Sequence, residues 1–295
     1  MKVDEQPQLA FYTEPGKMTT AGRYAPLLED LPRGFASLAT IAQGLLIHEH
    51  MAQGYGVKLS DSDRASVHIR PIEQILEQIV VRDNRPLDVP RTPEFRLPGN
   101  CRHFSVMVTS MLRSEGTPAR ARCGFGSYFG TGEYEDHWVC EYWHVGQQRW
   151  ILADAQIDDV QRGWFPLDLD VTDVPRNRFL VAGDAWMQYR SGNADPAKFG
   201  LSLLNEGGDW WIAGNLMRDA AALLNVELLP WDTWGAMPSP DKPISEDLAA
   251  LFDQLAAVTQ EPDTAHAELS ELCQDERLRV PPKVRNHLRN CEEAI

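Results

Sequence analysis

The chain has 295 residues, of which 43% are hydrophobic and 24% charged, a composition typical of a globular protein and not of a disordered or fibrous one. Its 28 Lys and Arg residues are outnumbered by 43 Asp and Glu residues, and the formal net charge of −15 disfavours binding to a phosphate backbone. The longest apolar stretch, residues 35–47, is shorter than the roughly 20 residues that a membrane-spanning helix needs. We therefore expect neither a nucleic-acid nor a membrane partner.

The N-terminus and the cysteines indicate a cellular location. No apolar segment follows Lys2, so we expect no secretory signal. The five cysteines are an odd number and contain no Cys-x-x-Cys pair, which argues against a disulfide framework. These two features together predict a cytoplasmic protein.

The N-terminal region, residues 1–89, is predicted to be helical after an irregular Pro- and Gly-rich arm of about 33 residues. Apolar spacing predicts a first helix over residues 35–53 and a second helix that begins near Pro71. The second helix has apolar residues at helical spacing: Ile72, Ile75, Leu76, Ile79 and Val80. Four prolines in residues 82–100 then predict a long connection that runs over the surface or lines a cleft.

Residues 90–165 are predicted to form an α+β core. A helix over residues 101–115 ends at Gly116 and Pro118, and the alternation of residues 119–125 predicts a strand. Residues 137–145 and 149–154 are predicted to form a hairpin.

Residues 166–295 are predicted to be mostly helical and to pack on this core. Helices are expected over residues 215–224 and 246–258, with a weaker charged helix at the end of the chain. We expect several of the region's tryptophans to border the cleft that holds Cys101, opposite the Pro-rich segment 85–98. These tryptophans are Trp164, Trp186, Trp210, Trp211, Trp231 and Trp234.

Three residues of the predicted core could carry nucleophilic catalysis. Cys101 opens a helix, where the positive end of the macrodipole favours a thiolate and unpaired backbone N–H groups suit an oxyanion. His137 begins one hairpin strand and Asp154 ends the next. If the turn is centred on Val145-Gly146, they are directly opposed; if it is Gly146-Gln147, they are diagonal neighbours. Either register lets the carboxylate orient the imidazole, as in a nucleophile–base–orienter triad.

The segments GNCRHFSVMVTSMLRSEGTPARARCGFG, DHWVCEYW and RWILADAQ resemble the transglutaminase-like superfamily. The resemblance covers about 60 residues, including the phrase formed by Arg113, Gly116, Pro118 and Arg120 and the pair Trp150 and Asp154. It implies a papain-like core in which Cys101, His137 and Asp154 form a catalytic triad. It also implies acyl transfer from an amide, ester or thioester to water or to an amine.

Other polar residues receive weaker interpretations. Asp158 and Asp159 compete with Asp154 as the orienting carboxylate, but they lie beyond the end of the strand. His103 is expected to be a polar side chain at the helix end, and Arg120 and Arg122 to be solvated or salt-bridged. His48 and His50 do not share a helix face, and we expect no metal site and no cofactor.

The sequence therefore predicts a cysteine-dependent acyltransferase or hydrolase whose partner is a small-molecule or peptide acyl substrate. The alternative is a non-catalytic binding or scaffold protein that retains a transglutaminase-like core. The presence of all three triad residue types favours the enzyme.

Overall fold

Helices and strands are interspersed along residues 7–295, the part of the chain that the computed structural model describes. The helices are α1 (Pro7–Phe11), α2 (Pro26–Glu29), α3 (Phe35–Leu45), α4 (Asp61–Arg64), α5 (Ile72–Arg82), α6 (Cys101–Ser114), α7 (Asp159–Arg162), α8 (Ala182–Arg190), α9 (Asp209–Leu223), α10 (Glu246–Gln260) and α11 (Pro262–Leu272). The strands are β1 (Leu46–His48), β2 (Leu97–Gly99), β3 (Ala119–Gly126), β4 (Tyr134–His144), β5 (Arg149–Ala153), β6 (Phe179–Val181), β7 (Phe199–Leu201), β8 (Glu206–Gly207), β9 (Asp232–Thr233), β10 (Lys283–Asn286) and β11 (Cys291–Ala294). The mixture confirms the predicted α+β class.

The contacts divide the chain into two compact units. Unit 1 comprises residues up to 121 together with residues 138–174, and unit 2 comprises residues 122–137 and 175–295. Strands β3 and β4 each have residues in both units. The sequence division into 1–89, 90–165 and 166–295 stays a prediction. Residues 1–6 of the predicted irregular arm lie outside the described residues.

The core of unit 1 is built from α3, α5 and α6 and from the hairpin strands β4 and β5. As the helical spacing predicts, α5 buries the four residues Ile72, Ile75, Leu76 and Ile79. They join apolar residues of α3, of α6 and of β5 in one cluster, among them Leu38, Leu45, Phe104, Met107, Met111 and Ile151. Burial of this continuous apolar surface is the main force that holds the helices on the strands.

Helix α6 lies at the centre of this core, and every residue from 101 to 113 is buried. The helix ends where Gly116 adopts a left-handed conformation with φ +83°, which glycine adopts at little steric cost. The amide of Thr117 then donates to the carbonyl of Leu112 over 2.9 Å, the long-range bond of a glycine C-cap. The predicted stop signal is confirmed.

The predicted helix over residues 35–53 is wrong beyond Leu45. Residues 46–48 form β1 instead, which pairs in parallel with β2 from Leu46↔Leu97 to His48↔Gly99. All three residues of β1 are buried. A short apolar run fits a buried strand as well as a helix, and the pairing partner that decides between them lies about 50 residues away.

The predicted hairpin forms from β4 and β5 within unit 1. The register runs from Cys140↔Ala153 to His144↔Arg149, so the turn is Gly146-Gln147, the second of the two expected positions. The amide of Gln147 closes the turn by donating to the carbonyl of His144 over 3.1 Å. Strand β5 ends at Ala153, one residue before Asp154.

Unit 2 combines short strands with a helical part. Strand β6 pairs antiparallel with β3, and β7 pairs in parallel with β4 and antiparallel with β8. Helices α8, α9 and α10 pack on one another. The predicted helices at residues 215–224 and 246–258 correspond to α9 and α10. The chain ends in the antiparallel pair β10–β11, so the predicted terminal helix is wrong.

None of the helices in residues 7–295 combines the length and the apolar character that crossing a bilayer requires.

Candidate active site

Cys101 is the first residue of the 14-residue helix α6, as predicted, and it is 7% exposed. The preceding residue, Asn100, has extended backbone angles that turn the chain into the helix. Gly99 is needed here because a Cβ at this position would lie 2.9 Å from the Cβ of His103. In the run Gly-Asn-Cys, the backbone of Gly99 thus packs closely against the His103 side chain, and Cys101 is placed at the N-terminus of the helix.

His103 is fully buried, and its Nδ1 lies 2.9 Å from Asn100 Oδ1. Burial lowers the pKa of this imidazole well below its ordinary value, and the neighbouring charge of Arg102 acts in the same direction. His103 is therefore a neutral partner of the N-cap residue. The signal in the sequence was the spacing Asn-x-x-His, because a capping box links the N-cap residue to the residue three positions later.

Glu49 lies beside this helix start, because its amide donates to the carbonyl of Gly99 over 2.9 Å. Burial raises the pKa of the Glu49 carboxyl to about 7, against the opposing effect of Arg64, whose Nη1 is 3.8 Å away. The neighbours His48 and His50 have ring centroids 5.7 Å apart. The described residues hold no group of three or more His, Cys, Asp or Glu side chains arranged to bind a metal ion.

Asp154 follows β5 directly and is 1% exposed. Its amide donates to the carbonyl of Val171 over 2.8 Å, and its Oδ1 accepts from the amide of Gln156 over 2.9 Å. These two bonds fix the backbone and the carboxylate together. A carboxylate held in this way has a defined orientation, which suits the role of orienting an imidazole.

A set of glutamines that the sequence analysis missed supports the segment after Asp154. Gln43 of α3 donates through Nε2 to the carbonyls of Ala155 and Ile157, over 3.1 and 3.2 Å. Gln156 donates to Gln161 Oε1 over 3.1 Å. Gln43 lies more than 100 residues before the segment that it holds, and no local pattern in the sequence marks it.

A cleft of about 390 Å³ in unit 1 includes Asp154 in its lining. Pro90 and Arg96 of the predicted Pro-rich connection also line it, so this segment does border a cleft. The volume lies within the range of small-molecule sites. Its other walls come from α3 and from the segments around α7, and include Phe35, Thr40, Gln43, Ile157, Asp158 and Val171.

His137 lies on β4 in unit 2, is 3% exposed and is surrounded by aromatic rings. The ring centroid of Phe129 is 4.9 Å away in an edge contact, and those of Tyr128 and Phe179 are 6.1 and 6.3 Å away. Phe129 and Tyr128 belong to the glycine-rich segment that follows β3. Aromatic edges of this kind hold the imidazole plane without adding a charge.

The residue before His137 is also anchored. Trp211 Nε1 donates to Asp136 Oδ2 over 2.7 Å, which joins the first turn of α9 to β4. Burial raises the pKa of the Asp136 carboxyl. Trp211 belongs to the tryptophan group expected to border the cleft, but its bond to Asp136 was not expected, because a separation of 75 residues leaves no local signal.

The predicted tryptophan group has several different surroundings. Trp186 donates to Asp253 Oδ1 over 2.8 Å and packs on Phe252, and Trp234 donates to the carbonyl of Leu278 over 2.9 Å. Both are buried within unit 2. The prediction that several of the six tryptophans border the cleft holding Cys101 stays a prediction.

All five cysteines are free thiols. Burial raises the pKa of Cys140 and of Cys273 to about 12, which keeps both thiols protonated at neutral pH. Cys291 is exposed on β11.

The structure thus places Cys101 and Asp154 in unit 1 and His137 in unit 2. Cys101 begins a helix, as predicted, whereas His137 lies three residues inside β4 and not at its start, and Asp154 follows the end of β5 by one residue. Their assembly into one triad stays a prediction.

The chain is similar to one solved structure and to one family model. A candidate cysteine protease from Cytophaga hutchinsonii, known from a crystal structure, is 16% identical and superposes with a TM-score of 0.34 over 62% of this chain and 50% of the other. The present chain thus spans about half the length of that protein. At this level of similarity the superposition carries no argument about function.

No curated protein matches the sequence significantly. The family model described as the transglutaminase-like superfamily matches residues 68–169, about a third of the chain, and Cys101, His137 and Asp154 all lie inside the match. The match supports the assignment of the protein to cysteine enzymes in general. Residues 68–169 of this chain are similar to the core of the transglutaminase-like superfamily.

Proposed function

We propose that the protein is a cysteine-dependent acyl-transfer enzyme with Cys101 as the nucleophile. The observation that carries this proposal is the position of Cys101 at the first residue of α6, inside the segment that matches the transglutaminase-like superfamily. A helix N-terminus stabilises a thiolate and offers backbone N–H groups to an oxyanion. Asp154, with its carboxylate held by Gln156, supports the role of an orienting residue.

In the proposed reaction, His137 takes the proton of the Cys101 thiol. The sulfur then forms a bond to the carbonyl carbon of an amide, ester or thioester, and the leaving group departs with the proton from His137. Water or an amine releases the acyl group from the sulfur and restores the thiol. Asp154 holds the tautomer of His137 that accepts the proton.

Competitive alkylation tests the nucleophile, with Cys291 as an internal reference for an ordinary exposed thiol. With limiting iodoacetamide at neutral pH, mass spectrometry of the peptides should show Cys101 reacting at least about tenfold faster than Cys291. His137→Ala should remove this advantage, and Asp154→Asn should reduce it. His144→Ala, on the same strand, is the matched control and should leave it unchanged.

A Cys101 that reacts more slowly than Cys291, or at a rate that His137→Ala does not alter, would overturn the proposal. The non-catalytic scaffold predicts that outcome. If Cys101 is activated, product analysis of an activated ester with and without a primary amine then separates hydrolysis from amide formation.

A further inference from the structure

Unit 2 contains a cavity of about 160 Å³ away from the residues to which the proposed chemistry is assigned. One wall is a face of α9 and the residue after it, formed by Met217, Ala220, Ala221 and Leu224 at helical spacing. The small side chains of Ala220 and Ala221 leave the space open. The opposite walls come from α10 and from the segment after α11, and include Leu255, Cys273, Leu278 and Val280.

A void of this size is unusual in a protein interior, where side chains leave few gaps larger than a water molecule. Water is a poor occupant because a bound water needs two to four polar partners, and the walls are almost entirely apolar. Cys273 does not alter this character, because burial keeps its thiol protonated. A dry cavity of about 150 Å³ holds a benzene molecule, so there is room for about six carbon atoms.

The mouth of the cavity has a different chemistry. Gln274 and Arg279 line it, and both are exposed. Among the described residues no carboxylate forms an ion pair with Arg279, whereas the nearby Asp275 is paired with Arg277 at 2.6 Å. A guanidinium that has no protein partner at the edge of an apolar cavity is suited to an anion.

The local charge also favours an anion, although the chain as a whole carries a net charge of −15. Residues 277–291 contain five Lys or Arg residues and no Asp or Glu. Two of these cations, Arg277 and Arg289, form ion pairs with Asp275 and Glu293, which leaves Arg279 as the cation that faces an anion at the mouth of the cavity.

We propose that this cavity binds a small amphipathic carboxylate. The apolar tail, of about six carbons, lies between α9 and α10. The carboxylate lies at the Arg279 guanidinium and at the side-chain amide of Gln274, which also donates to the carbonyl of Ser270 over 3.2 Å. The site depends on the shape and charge of unit 2 and not on the thiol chemistry assigned to Cys101.

Calorimetric titration with butanoate, hexanoate, octanoate and decanoate tests the tail. Each added methylene should increase the affinity about fourfold until the cavity is full. The gain should stop beyond about seven carbons, six in the tail and one in the carboxylate. Ala221→Leu fills the cavity and should weaken hexanoate binding at least about tenfold. Cys101→Ala should bind hexanoate as the unmodified chain does.

Arg279→Gln tests the head group, with Arg285→Gln in the same basic segment as the matched control. Arg279→Gln should weaken hexanoate binding about two- to fivefold and leave binding of the neutral 1-hexanol unchanged. Arg285→Gln should change neither. Because Ala221→Leu could fail to fold, the Met217 methyl resonance of methionine-labelled protein gives a second readout and should shift when hexanoate is added.

Several results would overturn the proposal. They are a Met217 resonance that hexanoate does not move, an affinity that does not depend on chain length, equal effects of Arg279→Gln and Arg285→Gln, or loss of binding in Cys101→Ala.

Discussion

Strand β3 buries two arginines, one in each unit, and they are satisfied by different surroundings. In unit 1, Arg120 Nε donates to Glu141 Oε2 over 2.6 Å, and the guanidinium lies 3.8 Å from the ring centroid of Trp150 and 4.8 Å from that of Tyr12. In unit 2, Arg122 contacts both oxygens of Asp219, at 3.0 and 2.8 Å, and also donates to the carbonyl of Thr259. Arg120 is thus surrounded partly by aromatic faces, and Arg122 is surrounded by acceptors.

This difference determines which groups face the new side chain when each arginine is replaced. An aromatic face accepts a methionine side chain in place of a guanidinium. A buried carboxylate accepts no apolar replacement of its cation, because its charge then has no partner. The change in unfolding free energy should therefore follow the unpaired buried charge that a substitution creates or removes. Four substitutions test this rule, in descending order of the expected change.

Arg122→Met should have the largest effect. It leaves Asp219 fully buried, with the amide of Cys123 still donating to it but without its cation. The expected loss is about 3–5 kcal/mol of unfolding free energy, measured by urea denaturation. The double variant Arg122→Met with Asp219→Leu removes both charges and should recover part of that loss. A single variant with the stability of the unmodified chain would break the rule.

Arg120→Met should cost less, about 2 kcal/mol in the same urea experiment. Glu141 loses its cation, but its side chain is 6% exposed, whereas that of Asp219 is 0% exposed, so water can reach the unpaired charge more easily. The methionine sulfur also retains contact with the faces of Trp150 and Tyr12. Arg120→Ala, which also loses that contact, is the comparison and should be more destabilising than Arg120→Met. Equal losses in the two variants would show that the aromatic faces contribute nothing.

Glu49 is a third case, a carboxyl in a side chain that is 9% exposed, with a cation only at the edge of contact range. Its pKa in the folded chain, about 7, lies above its ordinary value of 4.5, so the folded state favours the neutral acid. The stability that this provides is fully present below pH 4.5 and is lost as the pH rises through about 7. Glu49→Gln stays neutral and should be more stable than the unmodified chain by about 1–2 kcal/mol above pH 7.

Urea denaturation of both forms at pH 4.5 and pH 7.5 measures this difference. The two forms should match at the lower pH and separate at the higher one. A difference of the same size at both values would contradict the raised pKa.

The sequence predicted the elements whose determinants are local. The stop at Gly116, the apolar face of α5 and the helix start at Cys101 depend on neighbouring residues, and all three are present. The hairpin was narrowed to two registers, and pairing of His144 with Arg149 selects one of them.

What the sequence could not show depends on partners distant in the chain. The alternation of β3 suggested one core face and one solvated or salt-bridged face, yet all eight of its residues are buried. The burial of Arg122 depends on Asp219, which lies 97 residues away. The end of α3 depends in the same way on β2, and the support of Asp154 depends on Gln43.

Gln43→Leu tests the neutral end of the series and should have the smallest effect on stability, about 1 kcal/mol. The change keeps a similar volume and removes two hydrogen bonds to the carbonyls on either side of Gln156, while the adjoining cleft lets water take their place. If Gln43 positions Asp154, the alkylation rate of Cys101 should nevertheless fall severalfold. Thr40→Val, on the same cleft wall, is the matched control, since the Thr40 hydroxyl donates to the carbonyl of Ala36 within α3.

A double-variant cycle shows whether Gln43 acts through Asp154. In the Asp154→Asn background, Gln43→Leu should have no further effect on the alkylation rate, because the orientation that it supports has already lost its function. If Gln43→Leu slows alkylation equally in both backgrounds, the amide stabilises the protein locally and does not position the carboxylate. If Gln43→Leu slows alkylation severalfold only when Asp154 is intact, and costs only about 1 kcal/mol of stability, then an uncharged side chain matters more for the chemistry than for the fold.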